Sequence, residues 1–204
     1  MKHLLWFGPI LFLAAEILLP GGNRNLTERI SIIQSNRSSW AWGHVLIIVA
    51  LFFLLPWLAQ VYREGKKANC VIAFIGVFFS AIALMANYAI AVLQLLSFEI
   101  VMHLPETASN LLALITQPNL MITVFLPYFG FSLGFSLLAL SLWQGRHNWF
   151  ALFIFLSGIF LNLAGLMQIK LFFIFGSLSL ILATYTLIYL LPEQTSLQGR
   201  HAKT

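Results

Sequence analysis

Six apolar stretches follow one another along the chain, separated by shorter polar stretches. A helix needs about 20 apolar residues to cross a hydrocarbon core about 30 Å thick. The pattern therefore predicts an all-α integral membrane protein, a six-transmembrane-helix bundle in a single membrane domain over residues 1–204. The predicted spans cover residues 4–19, 40–62, 69–98, 120–143, 149–166 and 171–191, and a polar tail covers residues 192–204.

The first and last spans need a separate argument. Between Asn148 and Leu191 the only charged residue is Lys170. One helix over that stretch would be about 66 Å long, twice the membrane thickness, so we expect the chain to fold back around Met167–Lys170. The first span is short and carries Glu16. Because no small-x-small cleavage site follows it, we interpret it as a retained helix and not as a signal peptide.

The two longer connections predict short helices on the outer side of the membrane. In the first, Asn25 and Glu28 have the spacing of a helix cap, and an apolar face follows at Leu26, Ile30 and Ile33. In the second, Pro105 and Glu106 suit a first helical turn, and an apolar face follows at Ala108, Leu111, Leu112 and Ile115. Two interpretations remain open. Each helix either lies on lipid headgroups or forms part of a lid over the outer face.

Composition and charge agree with a membrane location. Charged residues make up 8% of the chain and hydrophobic residues 60%, whereas a soluble domain has about 25% charged residues. The net charge of +5 does not indicate nucleic-acid binding, because the Lys and Arg residues are scattered between apolar stretches. The single Cys70 excludes an intrachain disulfide and a Cys-based zinc site. All six Trp residues fall near predicted span ends, as an aromatic belt predicts.

The distribution of positive charge predicts the orientation, since cytoplasmic loops carry more Lys and Arg. With the N-terminus inside, the cytoplasmic side holds Lys2, Arg63, Lys66, Lys67, Arg146, Arg200 and Lys203. The outer side then holds Arg24, Arg29, Arg37 and Lys170. This excess predicts that both termini lie in the cytoplasm.

Polar residues within the spans collect toward the predicted outer side. Ionisable residues at membrane depth are costly, tend to face the bundle interior and indicate function. Within the third span, Asn87 and Gln94 share one helix face, and Glu99 and His103 share another. We expect the first pair to face the bundle and the second to stand at the mouth of an outward-facing pocket. The candidate residues are Glu16, His44, Asn87, Gln94, Glu99, His103 and Asn162, with Gln168 beside them.

Several kinds of chemistry fit these residue types. Glu16 and His44 form a protonatable pair that suits binding or transport of a small or lipid-like ligand. Metal coordination is a second hypothesis, with His44, His103, Glu16 and Glu99 as ligands, and haem held by His44 and His103 is a third. In the simplest interpretation Glu99 and His103 are solvated at the interface, and Glu16 and His44 only hold two helices together. No P-loop is present in the sequence.

Small residues in the fourth span indicate close helix packing. Gly130 and Gly134 form a GxxxG motif, which lets two backbones approach each other. The motif predicts either packing within the chain or an oligomer contact.

Two segments resemble a group of uncharacterised bacterial six-span inner-membrane proteins. They are WGHVLIIVALFFLLPWLAQVYR, with His44 early and Pro56 late, and GKKANCVIAFIGVFFSAIALMA. The resemblance implies a six-helix inner-membrane protein in which His44 is of interest, and it implies no activity. We therefore predict an outward-facing polar pocket that binds or transports a small or lipid-like ligand. The alternatives are a metal- or haem-dependent membrane enzyme and an accessory or assembly protein without a ligand.

Overall fold

A computed structural model describes residues 2–20, 26–115, 118–145, 147–167 and 169–190, and every regular element within them is helical. Asn25, Gln168 and the polar tail 192–204 lie outside the described residues. The elements are a 3-10 turn at Lys2–Trp6, α1 (Phe7–Leu18), α2 (Leu26–Ser35), α3 (Arg37–Gly65), α4 (Cys70–His103), α5 (Pro105–Ile115), α6 (Pro118–Gln144), α7 (Asn148–Met167) and α8 (Lys170–Tyr185), which a π-helical turn at Thr186–Leu190 continues.

Among the described residues, four helices are long and apolar enough to cross a membrane. They are Arg37–Gly65, Cys70–His103, Asn148–Gly165 and Lys170–Leu190. The other two predicted spans contain shorter apolar helices within the described residues, at His3–Leu18 and Phe129–Gln144. The α-helical part of the first begins only at Phe7. It ends at Leu18 because Pro20 favours an extended residue before it, and Leu19 has φ −63° and ψ 131°.

The helix boundaries follow from local chemistry. The predicted fold-back is confirmed, since Ile169 is extended and α8 begins at Lys170. At the start of α4, Asn69 Oδ1 accepts a hydrogen bond from the Ile72 amide at 3.1 Å, as an N-cap should. The span predicted over residues 69–98 lies almost entirely within α4, which continues to His103. It ends there because Leu104 precedes Pro105 and leaves the helical conformation, with φ −131° and ψ 54°.

Six of the helices form a closed ring around one apolar core. In chain order α1, α3, α4, α6, α7 and α8 each pack against the next, and α8 packs back against α1. At one end of this last seam Lys170 Nζ donates hydrogen bonds to the carbonyl oxygens of Ile17 (2.9 Å) and Leu19 (2.7 Å). At the other end the Trp6 and Tyr189 rings are 6.5 Å apart. The first and last helices of the ring are therefore antiparallel neighbours.

Trp57 belongs to this core and not to the aromatic belt that its position near a span end predicts. Its side chain is 1% exposed. Its indole N–H donates to Thr184 Oγ1 on α8 at 2.9 Å. A buried indole usually needs such a partner, and Thr184 supplies one from across the ring.

Glycine backbones carry the contact between α4 and α6. A Cβ atom on Gly134 would lie 2.6 Å from the Ser80 amide nitrogen, and one on Gly76 would lie 2.8 Å from the Leu138 nitrogen. Gly130 is also closely packed, against the Phe79 carbonyl oxygen. The GxxxG motif thus faces α4 of the same chain, as the packing interpretation predicts. An oligomer contact through Gly130 and Gly134 stays a prediction.

The helices α2 and α5, here called the cap, lie at one end of the ring. Both pack against each other and against α4, and α2 also contacts α3. Several of their apolar residues join a second hydrophobic cluster made of Ile33, Trp40, Val101, Ala108 and Leu112. Ile33 and Leu112 are fully buried. The two helices are thus present where the sequence predicts them, and their role as lids or as interfacial helices stays a prediction. The end of the bundle beneath them is called the cap end.

The α4–α6 contact generates a stability prediction. We expect Gly134→Ala to lower the free energy of unfolding by about 1–3 kcal/mol, because the added methyl meets backbone that cannot move aside. Thermal unfolding in detergent, followed by tryptophan fluorescence, measures the effect. Leu133→Ala, at an exposed position on the same helix, is the control and should change stability less. Equal stability of Gly134→Ala and the parent chain would contradict the close approach.

Candidate functional site

The seven predicted site residues all lie in described parts of the chain, and the structure divides them among several contacts. Except for Asn87, near the middle of α4, they lie toward the cap end of their helices. Glu16 and His44 are the ionisable members of the buried polar set that the structure describes. They lie on the neighbouring helices α1 and α3. Glu16 and His44 therefore lie at the end of the bundle where the sequence predicts the polar groups.

The Gln94 side chain bonds to Arg29, which the sequence predicts only as one of the positive charges on the outer side. Arg29 on α2 donates through Nη2 to Gln94 Oε1 at 2.5 Å and to Ser97 Oγ at 3.0 Å. Ser97 in turn donates to the Leu93 carbonyl oxygen in its own helix. Arg29 thus connects the cap to the polar face of α4.

His44 lies beside the same group and is oriented by its own helix. Its Nδ1 is 2.8 Å from the Trp40 carbonyl oxygen, and a hydrogen bond at that distance requires the proton on Nδ1. The Trp40 ring lies 4.8 Å from the imidazole. The Trp40 indole N–H donates to the Gln94 carbonyl oxygen at 3.2 Å. His44, Trp40, Gln94 and Arg29 therefore form a continuous polar layer across α3, α4 and α2.

Glu16 lies on the other side of α3, near the seam between α1 and α8. Only 6% of the residue is exposed. Within the described residues its carboxylate has no hydrogen bond or ion pair, and Lys170 is the cation that acts on it electrostatically. Lys170 itself donates to the last carbonyl groups of α1, where a positive charge also complements the helix dipole. No hydrogen bond or ion pair joins Glu16 to His44 in the described part of the chain.

The two asparagines have different surroundings. Asn87 Nδ2 donates to the Ala83 carbonyl oxygen at 3.0 Å, so its amide is satisfied within α4. Asn162 on α7 donates through Nδ2 to Ser132 Oγ on α6 at 3.1 Å. Its Oδ1 is buried without a hydrogen-bond partner in the structure. Asn162 therefore links two helices and retains one free acceptor.

Glu99 and His103 form an exposed ion pair at the end of α4. Their closest nitrogen and oxygen atoms are 3.3 Å apart, and their side chains are 60% and 75% exposed. Glu99 and His103 lie on an exposed face of α4, whereas Asn87 lies on a buried face. This agrees with the prediction that Glu99 and His103 point away from Asn87 and Gln94. An exposed pair of this kind contributes little to stability.

The proposed metal ligands do not converge. Within residues 2–20, 26–115, 118–145, 147–167 and 169–190, no group of three or more His, Cys, Asp or Glu side chains is placed to hold a metal ion. His103 pairs with Glu99 on the exposed side of α4, while His44 and Glu16 are buried on other helices. These positions give no support to the shared site of His44, His103, Glu16 and Glu99, or to haem held between His44 and His103.

The centre of the ring contains a small apolar cavity of about 10 Å³. Its lining draws on all six helices of the ring and consists of Phe12, Leu54, Trp57, Leu58, Leu84, Phe131, Phe135, Leu161 and Leu180. A site of that size and polarity has neither the room nor the partners for water. The polar groups of the cap end are therefore separate from this core cavity.

No protein-family model, curated protein or solved structure matches the chain. The function must therefore be inferred from its own residues.

The contacts of Arg29 and Lys170 were not predicted. Arg29 was considered only as a charge on the outer side, and Lys170 only as a charge at a turn. A signal for Arg29 exists: with Leu26, Ile30 and Ile33 it follows the i, i+3, i+4, i+7 spacing of one helix face. An arginine within an apolar stripe is expected to face protein. Lys170 gives the weaker signal of one charge at the turn between two apolar spans.

The Lys170 contact generates a prediction for the seam that closes the ring. We expect Lys170→Met to increase amide hydrogen exchange in the last turn of α1 about tenfold, because two charge-assisted hydrogen bonds are lost. Exchange in the middle of α4 should not change. Lys66→Met, at an exposed position before α4, is the matched control. Unchanged exchange at Leu18 and Leu19 would show that Lys170 does not hold the two helices together.

Proposed function

We propose that this chain is a six-span membrane protein that binds or transports a small or lipid-like ligand through polar groups at the cap end. Glu16 and His44 are its protonatable centre, with Asn87, Gln94 and Asn162 inside the bundle and Glu99 and His103 at the mouth. The observation that carries the proposal is the burial of Glu16 and His44 on the adjacent helices α1 and α3, toward the cap end of each helix. Buried ionisable groups in a membrane bundle indicate a functional site.

The cap supports a ligand site more than a purely structural role for these residues. Helices α2 and α5 pack apolar residues against α3 and α4, at the end of the bundle where the polar groups collect. The Glu16 carboxylate forms no hydrogen bond in the described residues. A residue that only tied α1 to α3 would be expected to form a hydrogen bond across that interface.

In this proposal the cap faces the outside of a bacterial inner membrane and both termini are cytoplasmic. The α1 and α6 helices complete the six spans together with their flanking residues. The excess of Lys and Arg on the side opposite the cap supports this orientation.

The orientation can be tested with the single native cysteine. Cys70 is exposed at the start of α4, on the side proposed to be cytoplasmic. A membrane-impermeant maleimide should label it only after spheroplasts are lysed. In the control chain Cys70→Ser with Asn110→Cys, the new thiol lies at an exposed position of α5 and should be labelled in intact spheroplasts. The reverse pattern would invert the topology.

Ligand binding can be tested without knowing the ligand. We expect native mass spectrometry of the purified chain to show a bound small molecule or lipid. Glu16→Gln and His44→Gln should each reduce the bound fraction about tenfold. Because one ligand would join the two residues, the double variant should lose less than the sum of the two single effects.

Ser157→Ala is the matched control, since Ser157 is buried but bonds only within its own helix. It should keep the bound mass. Absence of any bound mass in the parent chain, or full retention of that mass in both single variants, would overturn the proposed function.

A further inference from the structure

Arg29 occupies an unusual environment for a charged side chain in this protein. It lies on the cap helix α2, and its guanidinium is directed toward α4. Its Nη2 atom makes the hydrogen bonds to Gln94 and Ser97. Its Nε atom is buried and has no hydrogen-bond partner in the structure. A guanidinium has five N–H groups, so the acceptors on α4 satisfy only part of it.

The charge of Arg29 is not balanced by a carboxylate in the described part of the chain. The ion pairs found there join Lys67 to Glu64 and His103 to Glu99, and neither involves Arg29. Burial lowers the pKa of the Arg29 guanidinium, but arginine remains charged in proteins. Arg29 is partly buried, and a partly desolvated charge that meets only neutral acceptors gains little in return for its lost hydration.

A purely structural role does not need this charge. Gln94 Oε1 and Ser97 Oγ are neutral acceptors, and bonding to them does not require a donor that carries a positive charge. A guanidinium matches the geometry of phosphate and carboxylate groups, which accept two parallel N–H bonds and also supply the opposite charge. An anion would therefore supply both the further hydrogen-bond acceptors and the opposite charge that Arg29 does not receive from the described residues.

We propose that Arg29 is the anchor for an anionic group, a phosphate or a carboxylate, that binds between the cap and the ends of α3 and α4. Gln94 and Ser97 hold the guanidinium in place. Trp40 and His44, in the same polar layer, form the neighbouring wall. The inference rests on the proposed function, because it names the chemical class of the ligand that the cap end takes. The anion is either a lipid headgroup or a soluble ion.

The test uses the full chain in an uncharged detergent, with thermal unfolding followed by the fluorescence of its tryptophans. The lipid probe is dihexanoylphosphatidylglycerol, and its neutral counterpart is dihexanoylglycerol. The soluble probe is sodium phosphate, compared with sodium chloride at equal ionic strength. Ligands that bind the folded state raise the unfolding temperature with concentration, so each titration gives an apparent Kd.

Three variants separate the charge of Arg29 from its shape and its place in the chain. Arg29→Gln removes the charge, and Arg29→Lys keeps the charge but loses the planar fork. Arg37→Gln is the matched control, because Arg37 is exposed and bonds only to the nearby Gln34 carbonyl oxygen. Arg29→Lys also guards against a folding defect in Arg29→Gln, and gel filtration of every variant confirms that it is folded.

We expect the anionic lipid to stabilise the parent chain and Arg37→Gln more than the neutral lipid does. Arg29→Gln should weaken the apparent Kd about tenfold to a hundredfold, as the loss of a charge-assisted pair predicts, and Arg29→Lys should fall between. An Arg29-dependent response to phosphate alone would assign the site to a soluble anion. A response to the lipid alone would assign it to a headgroup.

Equal stabilisation by the neutral and anionic lipids, with no response to phosphate, would overturn the inference. An unchanged Kd in Arg29→Gln would do the same. Either result is compatible with a bound mass that depends on Glu16 and His44, in which case the proposed function stands without the anion site. Conversely, an Arg29-dependent anion response with no effect of Glu16→Gln or His44→Gln would refute the proposed centre alone.

Discussion

Close contact between helix backbones is the constraint on which this bundle depends. In a membrane, lipid tails are as apolar as the helix surfaces, so association comes from packing and from a few polar contacts. The glycines meet this need at successive seams: Gly43 faces Leu19, Gly134 faces Ser80, Gly158 faces Phe135 and Gly176 faces Leu161. A Cβ atom at Gly134 would meet the Ser80 backbone, and at the other three positions it would meet a side chain that must move. Small residues therefore allow close packing at four of the six seams, and Lys170 contributes to the seam between α8 and α1.

Polar side chains bond either within their own helix or to a second element. Along the helices, hydroxyl and amide side chains mostly bond to carbonyl groups of their own helix, as Ser80, Asn87 and Ser177 do, and such bonds fix no neighbour. Bonds between helices are fewer, and several of them lie toward the cap end, where Arg29, Lys170 and Asn162 each reach a second element. Two of these residues, Arg29 and Asn162, also leave a buried atom without a hydrogen-bond partner.

Sequence patterns predicted the helices well and their contacts poorly. Apolar length identified the long helices and the turn near Lys170, since each depends on local composition and on the thickness of a membrane. Proline chemistry explains why two helices end where they do, at Leu18 and at His103. The roles of Arg29 and Trp57 were not found, because a side chain's environment depends on how its helix is rotated against its neighbours. The pairing of Lys170 with the end of α1 joins residues about 150 positions apart, which no local pattern specifies.

Polar side-chain groups without a hydrogen-bond partner connect the fold to its proposed role. Glu16 offers a carboxyl group without a hydrogen bond, and Arg29 offers a buried N–H without an acceptor. Glu16 lies on α1 and Arg29 on the cap helix α2, and α3 contacts both helices. A bundle that required only stability would replace both with apolar residues, because desolvated charges gain little when apolar packing is available. Their position at the cap end is expected if this end of the protein must receive a polar group.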